Sequence, residues 1–146
     1  MRTKLIALDV YGTFLSTEDH DNELQPRTGF EEFVERTKQQ GIKLVTASDA
    51  SIDIQKIDIE ETFNNSRYNP RPTLEIFDNF YQLKTIPKDV SQILQDYNLT
   101  PEQLFIIGDT YEKDIEGAKE LGCNVFEIPE FKGFVNSYDF NQILIN

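Results

Sequence analysis

The chain has 146 residues, with 14 Lys and Arg against 26 Asp and Glu for a formal charge of −12, a length that fits one domain with a continuous core and needs no disulfide or structural metal. No basic cluster offsets the acidity, so nucleic acid is excluded as the expected partner, and an anionic substrate requires a bound cation to invert the local field. The lone Cys123 cannot form an internal disulfide, and the apolar run after Lys4 is too short for a signal or membrane segment, so a cytoplasmic protein without membrane attachment is expected.

Leu5-Ile6-Ala7-Leu8 is an unbroken apolar run closed by Asp9, the pattern of a strand buried on both faces. The acidic stretch from Glu18 to Glu23 reads as a solvated loop with His20 exposed. Thr28-Gly29-Phe30-Glu31 has the form of a capping box, and Phe30, Phe33, Val34 and Thr37 recur at helical spacing up to Gly41. Ile42 to Ala47 follows as a second strand ended by Ser48-Asp49.

The segment 50–77 carries turn signals at Asn64-Asn65-Ser66 and Pro70-Arg71-Pro72, so short helical pieces joined by turns are expected, then a brief strand at Phe80-Tyr81-Gln82-Leu83. From Pro87, the residues Val90, Ile93, Leu94 and Tyr97 fall on one helical face. Thr100-Pro101-Glu102-Gln103 repeats the capping-box form before the strand Leu104-Phe105-Ile106-Ile107. Ile115, Ala118 and Leu121 give the next helix an apolar side, Gly122 closes it, Cys123 is a small buried hydrophobe, and Val125 to Ile128 supplies a last strand.

Strands alternating with helices imply a mainly parallel sheet with helices on both faces, whose ligands bind beyond the carboxyl ends of the strands. That rule selects Asp9, Ser48, Lys84 and Asp109. Two carboxylates at one sheet edge repel each other unless they share a hard divalent cation, so Asp9 and Asp109 are candidate Mg²⁺ ligands. A lysine and a hydroxyl beside them would hold phosphate oxygens while Asp9 attacks phosphorus.

Asp9-Val10-Tyr11-Gly12-Thr13 after an apolar strand resembles the first motif of the haloacid dehalogenase superfamily. Gly41 to Asp49 is similar to its second motif, with Ser48 as the phosphate-binding hydroxyl and Thr46 as the alternative register. Lys84 matches the third-motif lysine by distance, although the usual following proline is Thr85, and Lys88 is the second candidate. Gly108-Asp109-Thr110-Tyr111-Glu112-Lys113-Asp114 resembles the acidic fourth motif, with Asp109 as metal ligand and Asp114 as a supporting or alternative one.

The resemblance spans Lys4 to about Pro129 and implies a three-layer, Rossmann-like α/β core. It implies a hydrolase, a phosphatase using Mg²⁺ and an aspartyl-phosphate on Asp9. It sets Gly12, Thr13, Ser48, Asp49 and Lys84 against the substrate and adds the Tyr11 carbonyl to the metal ligands. The short intervals from Asp9 to Ser48 and from Ser48 to Lys84 leave no room for a cap domain. Residues 1–146 are therefore expected to form one capless catalytic domain with an open site for a small phosphorylated molecule, which a homo-oligomer partner could complete.

One departure carries weight: family phosphatases place an aspartate two residues after the nucleophile, where this chain has Tyr11. That carboxylate is the general acid and base, worth on the order of 10²–10⁴ in rate, or roughly 3–5 kcal/mol. Tyr11 is the catalytic candidate in its place, with good leaving groups favoured. The same Asp-x-Tyr-Gly-Thr form occurs in the family's dehalogenases, so 2-haloacid dehalogenation is the rival reading. A catalytically weak binding or regulatory module is the third.

Overall fold

Successive residues of a strand face opposite sides of a sheet, and the apolar run Leu5-Ile6-Ala7-Leu8 is therefore committed to burial on both. In the structure, a computed structural model describing residues 2–16, 24–65, 73–130 and 138–145, this run is β1 (Leu5–Leu8), with all four side chains buried. It lies at the centre of a five-stranded sheet in the order β3-β2-β1-β4-β5, with β2 at Lys43–Ser48, β3 at Asn79–Gln82, β4 at Leu104–Gly108 and β5 at Asn124–Glu127. Every pairing is parallel.

Ile6 and Leu8 join a core with Phe30 and Phe33 of α1 (Phe30–Gln39) and Ile59 and Phe63 of α2 (Ile52–Asn65). Leu5 and Ala7 join the other core, with Ile93 of α3 (Ser91–Asp96) and Ala118 of α4 (Glu116–Leu121). The sheet is thus the middle of three layers, as the alternating pattern predicts. Within the first core Phe30 stacks on Phe14 and Phe33 while Phe140 meets Phe30 and Phe33 edge-to-face, at centroid distances of 4.6 to 6.4 Å, arrangements that add to the value of area burial alone.

Register sets the functional edge. Leu8 pairs with Thr46 on one side and Ile107 on the other, so the chain leaves β1, β2 and β4 at nearly the same level. The strand order reverses between β1 and β4, and a switch of that kind opens a crevice at the carboxyl ends. Asp9 and Asp109 flank it.

Several local expectations need correction. Within 50–77, residues 73–76 form a short helical piece as expected, but 52–65 form one long helix, whose buried face, Gln55, Ile59, Thr62 and Phe63, is half polar while Ile52, Ile54 and Ile57 are exposed. Helical periodicity was therefore hidden. Helix α1 is capped by Gly29 in the left-handed region, with no side-chain cap from Thr28. Leu121 is 46% exposed and is not part of the apolar side of α4. Thr100 does lead into a turn, its N–H donating to Gln103 Oε1 at 3.0 Å, and Cys123 is buried. The loop 18–23 with His20, and Pro70-Arg71-Pro72, lie outside the described residues, as does Ser66. Among the described residues no helix is long and apolar enough to cross a membrane.

Candidate active site

Asp9 follows the last residue of β1, and its N–H donates to Ile107 O at 2.9 Å, which carries the sheet one residue past the strand. The chain then reverses at Gly12, whose φ of 81 is the left-handed region that glycine adopts without strain. The reversal brings Thr13 back over the carboxylate. Thr13 Oγ1 donates to Asp9 Oδ2 at 3.1 Å, and both residues are buried.

The lysine of the site is Lys88. Its Nζ donates to Asp9 Oδ1 at 2.9 Å and to Ala47 O at 2.7 Å, and it forms an ion pair with Asp114 Oδ1 at 2.6 Å. Lys88 is 4% exposed, whereas Lys84, the first choice from spacing, is exposed and takes no part in this cluster. The missing proline after Lys84 was the available signal: Lys88, not Lys84, stands beside Pro87. A backbone bond from Lys88 N–H to Lys113 O at 2.9 Å then seats it against the fourth motif.

β4 ends at Gly108, and a π-helical turn at Tyr111–Ile115 swings Asp114 back under the sheet edge. Thr110 N–H donates to Asp114 Oδ2 at 3.2 Å. Gly108 makes room for this return, because a Cβ there would stand 2.3 Å from Asp114 Cβ and 2.6 Å from its Cγ. Asp9, Asp109 and Asp114 each offer a carboxylate oxygen, all within 4.8 Å of one another. That spread is near the roughly 4 Å between opposite ligands of an octahedral Mg²⁺, and hard oxygen donors suit it. The donor set therefore fits such an ion.

The electrostatics agree with a site built for a cation. Burial raises Asp9 from 3.8 to about 7, with Lys88 opposing the rise and Asp114 adding to it. Burial, then Asp114, raises Asp109 as well. Burial works against the charge on Lys88, but Asp9 and Asp114 outweigh it and hold the ammonium above its ordinary value. Three acids beside one lysine leave an excess of negative charge.

Ser48, at the end of β2, is fully buried, and its Oγ accepts from Ala50 N–H at 3.1 Å, so it sits in a turn at the sheet edge. Thr46 is committed elsewhere: its hydroxyl donates to Gln55 Oε1 at 2.5 Å and accepts from Tyr81 N–H. Asp49 is exposed and pairs with Lys113 at 2.6 Å, the hydrogen bond that most lowers its pKa. Tyr11 turns its hydroxyl onto Asp58 of α2, to which it donates a short hydrogen bond. Burial and that carboxylate push the phenol above its usual range.

Sequence reasoning passed over three residues here: Arg27, Asp58 and Lys113. Asp58 and Lys113 lie on helical turns among other charges and offered no pattern. Arg27 did offer one, being the single Lys or Arg between Lys4 and Arg36, next to Pro26. Its side chain is 1% exposed, with Nε donating to Thr13 O at 2.8 Å and Nη2 to Gly12 O at 2.7 Å.

A three-layer α/β core with a parallel sheet in the middle, and an aspartate after its first strand meeting two later acids and a buried lysine at the carboxyl edge, defines the class of the chain. Residues 6–128 match the haloacid dehalogenase-like hydrolase family, and the chain belongs to that family. It is similar to enolase-phosphatase E1 of Shewanella piezotolerans, 29% identical over 121 residues that cover 78% of this chain and 50% of the relative, so the chain spans about half the length of that curated protein. Among solved structures it resembles CbbY of Rhodobacter sphaeroides in complex with phosphate, at 17% identity and a TM-score of 0.67 over 90% of this chain and 88% of that one. It also resembles a haloacid dehalogenase family enzyme of Bacteroides thetaiotaomicron in complex with magnesium and inorganic phosphate, at 10% identity and a TM-score of 0.67 over 89% and 96%. At these identities the structural likenesses establish the fold.

Proposed function

We propose that this hydrolase is a Mg²⁺-dependent phosphatase in which Asp9 attacks the phosphorus of a small phosphorylated molecule and carries the phosphoryl group as an aspartyl-phosphate. The carrying observation is the convergence of Asp9, Asp109, Asp114 and Lys88 at the crevice between β1 and β4. Bound to those carboxylates and the Tyr11 carbonyl, Mg²⁺ would offset the negative charge of phosphate and site together. Structures of neighbours bound to phosphate, or to magnesium and phosphate, support this choice of ligands.

The chain's own residues divide the remaining work. Thr13 and Lys88 each hold one Asp9 oxygen, which fixes the carboxylate for in-line attack. The Lys88 ammonium, its donors held by Asp9, Ala47 O and Asp114, would act on the phosphate oxygens as a nearby positive charge, and the Ser48 hydroxyl would donate to one of them. Lys84, 4 residues from Lys88 along an exposed loop, has no part in this. Water then hydrolyses the aspartyl-phosphate and regenerates Asp9.

Tyr11 contributes little acid catalysis, because its proton is engaged by Asp58 rather than aimed at a leaving group. Substrates whose leaving group needs no proton are therefore favoured: acyl phosphates, anhydrides and aryl phosphates. The three-carboxylate cluster weighs against the dehalogenase reading, since a halide displacement needs no cation. In this reading the chain works as one capless core domain, in the cytoplasm, with the Asp49–Lys113 ion pair at the sheet edge beside the site.

The test is a panel of acetyl phosphate, para-nitrophenyl phosphate, a sugar phosphate and 2-chloropropionate, each with and without Mg²⁺. Turnover of the first two that needs Mg²⁺ and is lost in Asp9→Asn is the expected result. Chloride release without Mg²⁺, or a sugar phosphate turned over faster than acetyl phosphate, would overturn the proposal. Tyr11→Asp should raise sugar phosphate turnover by about 10²-fold.

A further inference from the structure

The side chain of Arg27 is among the largest fully buried ones, and it sits beneath the nucleophile turn rather than on the surface where arginines normally lie. Its Nε and Nη2 donate to the carbonyls of Thr13 and Gly12, and its backbone N–H donates to Phe14 O at 2.7 Å. One residue thus holds three successive peptide carbonyls. These are the peptides that bring the Thr13 hydroxyl to 3.1 Å from Asp9 Oδ2. Two further bonds tie Ser16, just past this turn, to Gln25, two residues before Arg27: Ser16 N–H to Gln25 O and Gln25 N–H to Ser16 Oγ, both 2.8 Å.

We propose that Arg27 is a positioning residue for the reaction: its buried guanidinium fork fixes the Gly12-Thr13 turn so that the Thr13 hydroxyl holds the Asp9 carboxylate in the attacking orientation. The inference rests on the reading of Asp9 as nucleophile. A planar fork with two donors in fixed register can clamp adjacent carbonyls, whereas the single ammonium of lysine cannot hold both in the same geometry. Arg27→Lys therefore keeps the charge and removes the clamp. A displacement of the nucleophile of order 1 Å is enough to cost about 10²-fold in rate.

A purely structural arginine would also be missed on removal, so the experiment is a double-mutant cycle with Thr13→Val. In variants confirmed as folded by circular dichroism at the assay temperature, Arg27→Lys is expected to lower kcat at least about 10-fold with KM within about 3-fold of wild type. In the Thr13→Val background the same change should lower kcat by less than about 3-fold, because the path from Arg27 to Asp9 is already cut. The cycle is read a second time in Mg²⁺ affinity by calorimetry, which needs no turnover.

If Arg27→Lys fails to fold, Arg27→Ala with methylguanidinium supplied in solution takes its place, and recovery of kcat is expected. Costs that add in both readouts, or folded variants with wild-type kcat and only a lowered melting temperature, overturn the role. Absence of turnover in wild type would overturn the phosphatase reading instead, while the Mg²⁺ cycle still judges Arg27.

Discussion

Replacing Lys88 by methionine keeps the volume of the side chain and removes the one ammonium that separates Asp9 from Asp114. Lys88 Nζ lies 2.9 Å from Asp9 and 2.6 Å from Asp114, with its side chain almost wholly buried. Breaking a buried pair by deleting one partner costs about 3–5 kcal/mol. Like charges within 4.8 Å of one another give a similar figure, about 3 kcal/mol for each pair at an effective dielectric of about 20. For a chain of this size the expected fall in melting temperature is about 10–15 °C at pH 8 without divalent ions. The loss should shrink toward pH 5, because Asp9, already raised to about 7, rises further without Lys88 and takes up the proton that relieves the repulsion. The assay is thermal unfolding of Lys88→Met and Lys84→Met in parallel across pH 5 to 8. Exposed Lys84 should cost under about 0.5 kcal/mol. A Lys88→Met protein melting within about 2 °C of wild type at pH 8, or a larger loss from Lys84→Met, would refute the assignment of the buried lysine.

The same raised pKa gives wild type an unusual pH dependence. Asp9 and Asp109 bind protons more tightly folded than unfolded, so their ionisation lowers stability as pH climbs from about 4 through 7, and chelator-treated protein should melt higher at pH 5.5 than at pH 7.5. Mg²⁺ should narrow or reverse that gap, since it binds the ionised folded form. Asp109→Asn should weaken Mg²⁺ binding at least about 10-fold by calorimetry while leaving the chelated protein as stable as wild type or more so, because one like charge is gone. Gly108→Ala should lose Mg²⁺ affinity and kcat together, since its methyl group would collide with Asp114; unchanged affinity would mean that Asp114 is not held at the site by that gap.

The strand ends were legible because doubly buried strands announce themselves as unbroken apolar runs, and each ends at a polar residue that chemistry can use. Asp9, Ser48 and Asp109 came directly from that pattern, and Asp114 from the acidic motif after β4. Lys88 was harder to identify. It sits on a connection after β3, and no periodicity distinguishes an exposed lysine from a buried one four residues later; only the carboxylates waiting in space do. Helix α2 was obscured for a related reason, since Gln55 and Thr62 are buried through tertiary contact, as in the bond from Gln55 Nε2 to Tyr81 O at 3.0 Å. Arg27 and Asp58 bond across long sequence separations to the turn at Tyr11, Gly12 and Thr13, which local patterns do not encode.

A net charge of −12 and the anionic substrate proposed above are compatible only if positive charge is concentrated where the acids are. The structure arranges this in depth. Lys88 lies inside the acid cluster, Arg27 lies beneath the turn that carries Asp9, and Lys113 stands at the mouth, paired with exposed Asp49. Still, three acids within 4.8 Å exceed what one buried ammonium can neutralise, and burial has already driven Asp9 to about 7. The cluster therefore carries an unfavourable interaction that, on the proposed reading, a divalent cation would remove. If the proposed phosphatase reading holds, stability is given up at the edge where binding gains most from it, the trade expected of a site that takes a cation and an anion together.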